Sequence, residues 1–122
     1  MVQAKAQLKT YRQSPRKVRL VAGLVRGKKV DQAITLLAFT AKRSSLPILK
    51  LISSALANAK SLSFPTENLV IKEIKVDEGT TLYRRRPRSR GMANPIRKRT
   101  SHISVILDEA IDKKQKTINK KL

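Results

Sequence analysis

Residues 84–99 read RRRPRSRGMANPIRKR, a stretch with eight Arg or Lys and no acidic residue. The segments on either side alternate as strands do: Leu69 to Val76 before it, and Ile103, Val105 and Leu107 after it. Two strands joined by so long a basic connection predict either an extended β-ribbon or a large loop, an arm spanning about residues 77–102. Pro87 and Pro95 stiffen this arm, and Gly91 lets the chain turn at its tip. Such a segment has few side chains to bury and gains stability when a polyanion surrounds it.

Upstream, residues 2–10 alternate, with Val2, Ala4, Ala6 and Leu8 on one side and Gln3, Lys5, Gln7 and Lys9 on the other. That pattern predicts a half-buried strand near a sheet edge, with a basic outer face. Ser14-Pro15 opens a helix, with Ser14 at the N-cap and Pro15 at the first helical position. Its apolar stripe is Val18, Val21, Ala22 and Val25, widened by Leu24; Gly27 stops it, with Arg26 in the last turn. Ile34, Leu37 and Ala38 predict a second helix over 31–39, with Asp31 in its first turn. A long third helix is expected over 41–62, capped by Thr40, with Ile48, Leu51, Ile52, Ala55, Leu56, Ala59 and Leu62 inward. Pro47 then kinks it; the alternative is a start at Ser45 with Pro47 in the first turn.

Residues 63–68 read as a loop and 69–76 as a strand with Val70, Ile74 and Val76 facing one way, a phase broken by Leu69 and Ile71. Asp77-Glu78-Gly79 reads as a turn. The sum is an α+β fold: a three-stranded antiparallel sheet packed against three helices, with a long β-hairpin arm. One domain over 1–110 carries the arm, and a Lys-rich tail follows over 111–122.

The 28 basic and 8 acidic residues give a net charge of +20 over 122 residues. A small soluble domain carries a net charge of magnitude roughly 2 to 8, so the excess favours a nucleic-acid partner. Aromatic residues are limited to Tyr11, Phe39, Phe64 and Tyr83, which argues against a base-stacking platform and for phosphate and shape recognition. The absence of cysteine excludes disulfides and thiolate metal sites. No apolar run approaches a membrane span, and the N-terminus lacks a signal-peptide pattern, so an uncleaved intracellular protein is expected.

Catalytic chemistry has little to stand on. The lone histidine, His102, is better read as a structural hydrogen-bonder or phosphate neighbour than as a general base. Asp77 with Glu78, and Asp108 with Glu109, are candidates to meet across the base of the ribbon and hold Mg²⁺. The plainer reading makes them solvated strand-end charges that balance Lys and Arg. Gly91 has no phosphate-loop frame around it. No cofactor is expected.

The basic residues fall into three groups. The first is Lys5, Lys9, Arg12, Arg16, Lys17, Arg19, Arg26, Lys28 and Lys29, uninterrupted by any acid through residue 30. The second, on the polar side of the long helix, is Lys42, Arg43, Lys50 and Lys60, together with Asn58. The third is Arg84, Arg85, Arg86, Arg88, Arg90, Arg97, Lys98 and Arg99, whose arginines suit bidentate phosphate contacts. Basic patches before, beside and within one arm imply a concave partner, which favours a large folded RNA over a DNA groove.

Four stretches carry a familiar pattern: SPRKVRLVAGLVRGKKVDQAI at 14–34, SALANA at 54–59, IKVDEG at 74–79 and RRPRSRGMANPIRKRTSHISV at 85–105. In order and spacing the chain resembles the bacterial-type L22 (uL22) family of large-subunit ribosomal proteins over about residues 5–108. The resemblance implies a structural, non-enzymatic protein bound to large-subunit rRNA of the 23S type and to neighbouring ribosomal proteins. It implies a role in subunit assembly and an arm whose tip lines the nascent-peptide exit tunnel, in transient contact with the growing chain. Carried onto this sequence, the tip is Arg88, Arg90, Gly91, Met92, Ala93 and Asn94. The globular contacts are Ser14, Arg16, Lys17, Arg19, Arg26, Lys28 and Asn58, and Lys98, Arg99, Thr100, Ser101 and His102 match the closing motif at the arm's base. Met92 stands where the family often has a basic residue, Asn94-Pro95 replaces a more polar pair, and KSLSFPTEN departs from the usual continuation after SALANA. A ribosome in the cytoplasm or in an organelle is the expected location, with no membrane and no homo-oligomer. The alternative is a stand-alone nucleic-acid-binding regulator or RNA chaperone, which would not appear once per large subunit after a high-salt wash.

Overall fold

A computed structural model describes residues 3–109. In chain order the elements are β1 (Ala4–Tyr11), α1 (Pro15–Val25), α2 (Val30–Phe39), α3 (Ser45–Ser61), β2 (Leu69–Glu78), β3 (Leu82–Pro87), β4 (Ala93–Lys98) and β5 (Ser101–Glu109). One 3-10 turn, Ser89–Gly91, joins β3 to β4. The body is an antiparallel sheet in the order β1-β5-β2; β3 and β4 form a separate two-stranded ribbon. The α+β class and the arm are as expected, and of the two forms open for the arm the ribbon is observed. Val2 and the tail over 111–122 lie outside the described residues.

Three rows of side chains cross the buried face of the sheet. Ala4, Leu107 and Ile71 form one row, Ala6, Val105 and Ile74 the next, and Leu8, Ile103 and Val76 the third. Alternation puts each set on one face. The small Ala4 and Ala6 let α3 approach, and Ile48, Ile52, Ala55 and Ala59 of α3 are fully buried in the shared core with Val18, Val21, Ala22 and Val25 of α1.

The phase break in β2 is a bulge. Ile71 pairs with Leu107 and Glu73 with Ile106, so Lys72 is the extra residue. The bulge resets which side chains face inward: Leu69 and Ile71 before it and Ile74 and Val76 after it are buried, and Val70 turns outward to an intermediate position, contrary to its expected place in the inward set. β2 also runs through Asp77 and Glu78, which pair with His102 and Ser101, so the expected turn at 77–79 is strand up to Gly79.

The long helix begins at Ser45 and not at residue 41. Pro47 thus sits in the first turn, where its missing N–H costs no ladder bond, and no kink is needed. Thr40 closes α2 instead of opening α3: its N–H donates to Leu37 O at 3.3 Å and its hydroxyl to Leu36 O at 2.7 Å. Three residues assigned to apolar stripes are exposed: Leu24, Ala38 and Leu62. Leu62 lies just past the end of α3, and Ala38 sits near the end of α2, which packs mainly on α3.

Gly27 sits just past α1 with φ +77°, the left-handed backbone that glycine adopts without a Cβ penalty. The turn carries the chain onto the free edge of β2: Gly27 N–H donates to Ile71 O at 3.2 Å and Ile71 N–H to Lys28 O at 3.0 Å.

Candidate nucleic-acid interface

The three basic groups, distant in sequence, converge at the base of the arm. A cleft of about 890 Å³ is lined by Arg12, Gln13, Ser14, Lys17, Arg43, Arg97, Lys98 and Arg99. Six of the eight are cations and none is an acid. The segment after β1 supplies Arg12 and Gln13, the start of α1 supplies Ser14 and Lys17, the approach to α3 supplies Arg43, and the end of β4 with the residue after it supplies the last three. Arg99 reaches Glu78 at 3.9 Å, and the six cations around one concave space still hold a positive potential that a polyanion relieves.

Short hydrogen bonds fix the walls. Ser101 is fully buried and its hydroxyl donates to Gln13 O at 2.6 Å, tying β5 to the linker that carries Arg12 and Ser14. Thr100 is buried, and its hydroxyl donates to Thr80 O at 2.6 Å, joining the two roots of the arm. Gly79 N–H donates to Thr100 O at 2.9 Å beside it. The buried hydroxyls of Thr100 and Ser101 have no surface to offer a partner, so these two positions support the cleft and do not line it. Ser14 occupies the N-cap position of α1 without a side-chain cap bond, and its hydroxyl belongs to a residue that lines the cleft.

His102 has a structural place. Lys9 and Thr10 together oppose His102 in a bulge of β1, with Thr10 at φ +57°. The His102 Nδ1 accepts from Thr10 N–H at 2.9 Å, replacing the ladder bond that the bulge removes.

The arm presents cations on all sides. The register sets Arg84 against Ile96, Arg85 against Pro95 and Arg86 against Asn94, so successive arginines point to opposite faces of the ribbon. From Tyr83 to Arg99 every residue except the half-buried Ile96 is exposed. Pro95 is tolerated because each strand of a two-stranded ribbon has a free edge. At the tip, Arg88 N–H donates to Met92 O at 2.7 Å, and Arg90 (φ +60°) and Gly91 (φ +67°) make the reversal. Arg88, Arg90, Met92, Ala93 and Asn94 are all exposed around it.

Three other residues named from sequence, Arg19, Arg26 and Asn58, are exposed at the surface and also donate to main-chain oxygens of the protein. Arg19 donates from Nε and Nη2 to Val76 O at 3.3 and 3.0 Å, and Arg26 from Nη2 to Ile74 O at 3.1 Å. Asn58 donates from Nδ2 to Lys5 O at 2.8 Å. Lys5, Lys9, Arg16, Lys28 and Lys29 are exposed.

The acidic pairs do not meet. Asp77 and Glu78 pair with the start of β5, whereas Asp108 and Glu109 end it, so the two pairs sit at opposite ends of the sheet. Ion pairs engage one acid of each pair, Lys72–Asp108 at 3.5 Å and Arg99–Glu78 at 3.9 Å, and Lys75 meets Glu73 at 3.1 Å. Among the described residues no group of three or more metal-ligating side chains is assembled, and no helix is long and apolar enough to cross a membrane.

Arg43 and Gln13 are cleft residues that sequence reasoning did not place there. By sequence Arg43 belongs with the polar face of α3, yet it precedes that helix and joins Arg97–Arg99 only through the tertiary fold.

Residues 6–108 match the family model of ribosomal protein L22p/L17e. The chain belongs to the L22p/L17e family of ribosomal proteins. It is similar to the large ribosomal subunit protein uL22 of Desulfitobacterium hafniense, 51% identical over 110 residues that cover 89% of this chain and 96% of that protein. It is also similar to that of Lactobacillus gasseri, 47% identical over 110 residues, 89% of this chain and 94% of the relative. The L22p/L17e match thus spans the body, the cleft and the whole arm.

Proposed function

We propose that the chain is a structural constituent of a large ribosomal subunit that binds and organises large-subunit rRNA. It makes and breaks no bond. The observation that carries this reading is the cleft, where Arg12, Lys17, Arg43, Arg97, Lys98 and Arg99 face one space without an acid. RNA backbone entering there is held from three sides, by the linker after β1, the approach to α3 and the root of the arm. Lys5, Lys9, Arg16, Lys28 and Lys29 extend the contact over the body, and Arg84, Arg85 and Arg86 along the arm. The arm passes between RNA segments, and its tip, Arg88 to Asn94, lines the nascent-peptide exit tunnel and meets the growing chain. Holding several RNA segments together assists subunit assembly. Neighbouring ribosomal proteins complete the surroundings, in a ribosome of the cytoplasm or of an organelle.

The test joins composition to salt dependence. The chain is expected once per large subunit after a high-salt wash, which a transient regulator would not survive. Replacing Arg12, Lys17 and Arg43 with Ala should flatten the slope of log K against log [KCl], measured on transcribed large-subunit rRNA, by about 2 to 3. The same variant should wash off subunits at lower salt. An unchanged slope removes the cleft from the interface.

A further inference from the structure

We propose that Arg19 and Arg26 are clamps on the free edge of β2 and take no part in phosphate binding, although both lie among the basic residues of the first 30 positions. β2 is an edge strand, and an edge strand with open carbonyls is a template for pairing with another chain. Here three outward carbonyls are taken in turn. Ile71 O accepts from Gly27 N–H at 3.2 Å, Ile74 O from Arg26 Nη2 at 3.1 Å, and Val76 O from both Nε and Nη2 of Arg19. The order is antiparallel: as the chain advances from residue 19 to 27, its partners recede from 76 to 71. α1 therefore lies along the edge like a missing strand, with two guanidinium groups continuing a ladder that main-chain N–H groups begin.

Arginine suits this place for two reasons. Its planar fork offers two donors to one oxygen, which an ammonium point charge does not reproduce. Its charge also repels any strand that would dock on the edge, in a body that is itself strongly cationic. The clamp has a consequence for the interface. It fixes the roll of α1 about its axis, and Lys17 on that same helix lines the basic cleft. The clamp stands on hydrogen-bond geometry alone; only its contrast with Lys17 rests on the proposed RNA binding.

The experiment measures two quantities on the full-length free protein: the thermal midpoint, and the slope of log K against log [KCl] on transcribed large-subunit rRNA. Arg19→Ala and Arg26→Ala should each lower the midpoint by several degrees and leave the slope unchanged. Arg19→Lys should lose most of the same stability, because charge is kept and the fork is lost. The control pair Arg16→Ala and Lys17→Ala should do the reverse, flattening the slope by about 1 each at an unaltered midpoint. If an alanine variant fails to fold, the lysine variants carry the test through faster amide exchange at β2. An unchanged midpoint in Arg19→Ala and Arg26→Ala overturns the clamp. A slope flattened by about 1 per arginine overturns their exclusion from phosphate contact. Failure of the control pair alone counts against the RNA-binding reading and leaves the clamp intact.

Discussion

The body and the arm are built on opposite terms. In the body, each of the three rows across the inner face of the sheet carries buried apolar side chains, and helices cover that face. In the arm, both faces of the ribbon carry arginine and only Ile96 is half-buried between Tyr83 and Arg99. Burying a Val, Leu or Ile is worth about 1.5–3 kcal/mol, and the body collects that many times over. The arm gathers almost none of it and adds repulsion among its cations. One chain therefore contains a region that specifies itself and a region whose geometry is specified but whose energy comes from the partner. The difference locates the protein's function: what the arm lacks in packing is what a surrounding polyanion supplies.

The largest effect is expected in the body. Ile52 is fully buried where α3 meets the sheet, and truncating such a residue removes transfer energy and leaves a cavity. Ile52→Ala should cost about 2–5 kcal/mol, lowering the thermal midpoint by roughly 10 °C or more. Circular dichroism melts of the free protein check this. A change under 2 °C would mean that the body is not held by this core, and the contrast with the arm would dissolve.

Much of this contrast can be read from the residues alone, because both signals are local. Ala4, Ala6 and Leu8 alternate, Val18, Val21, Ala22 and Val25 share a helical face, and the RRRPRSR run declares its need for an anion. What escaped reading depends on partners far away in sequence. The bulge at Lys72 is set by pairing with β5, and without it Val70 falls in the inward set. Pro47 reads as a kink until the helix start is known, and at Ser45 it becomes ordinary. Arg19 and Arg26 look like solvent-facing cations, because their partners are main-chain carbonyls, which leave no mark in a sequence. The cleft is half legible: the cations of all three walls fall in basic groups that the sequence shows, but bringing Arg43 against Arg97–Arg99 requires the topology. His102 reads as a structural hydrogen-bonder or a phosphate neighbour, and the structure gives it one partner, the Thr10 amide.

An intermediate effect is expected where the two regions join. Gly79 is the last residue before the chain leaves the sheet for the arm. A Cβ there would run into Thr100 Oγ1 and lie 3.2 Å from the His102 ring. Thr100 cannot simply turn aside, since its hydroxyl is bonded to Thr80 O at 2.6 Å. Gly79→Ala should cost about 1–3 kcal/mol, the usual range for overpacking. It should also perturb the amide signals of Thr80, Thr100 and His102 together. If the midpoint holds and the three amides stay in place, the root is soft, and the arm is hinged there and not anchored.

The smallest effect on stability, and the sharpest on the comparison, concerns the arm in the absence of a partner. Fixing a residue's backbone costs about 1–2 kcal/mol, and a lone two-stranded hairpin is marginal in water. The β3–β4 register has two half-buried apolar side chains, Leu82 and Ile96, to set against that cost, with seven arginines and Lys98 repelling one another over residues 84–99. Backbone relaxation on the free protein should give order parameters near 0.85 in α1, α3 and β5 and below about 0.6 over residues 84–97. Salt separates the two causes. At about 1 M the screening length falls to about 3 Å, so repulsion between arginines is largely removed while the missing core remains missing. A rise in order with KCl assigns the arm's mobility to its charge; mobility that salt leaves unchanged assigns it to the absence of packing. Order parameters near 0.85 throughout the arm at low salt would overturn the comparison itself, because the ribbon would then hold its shape without any partner.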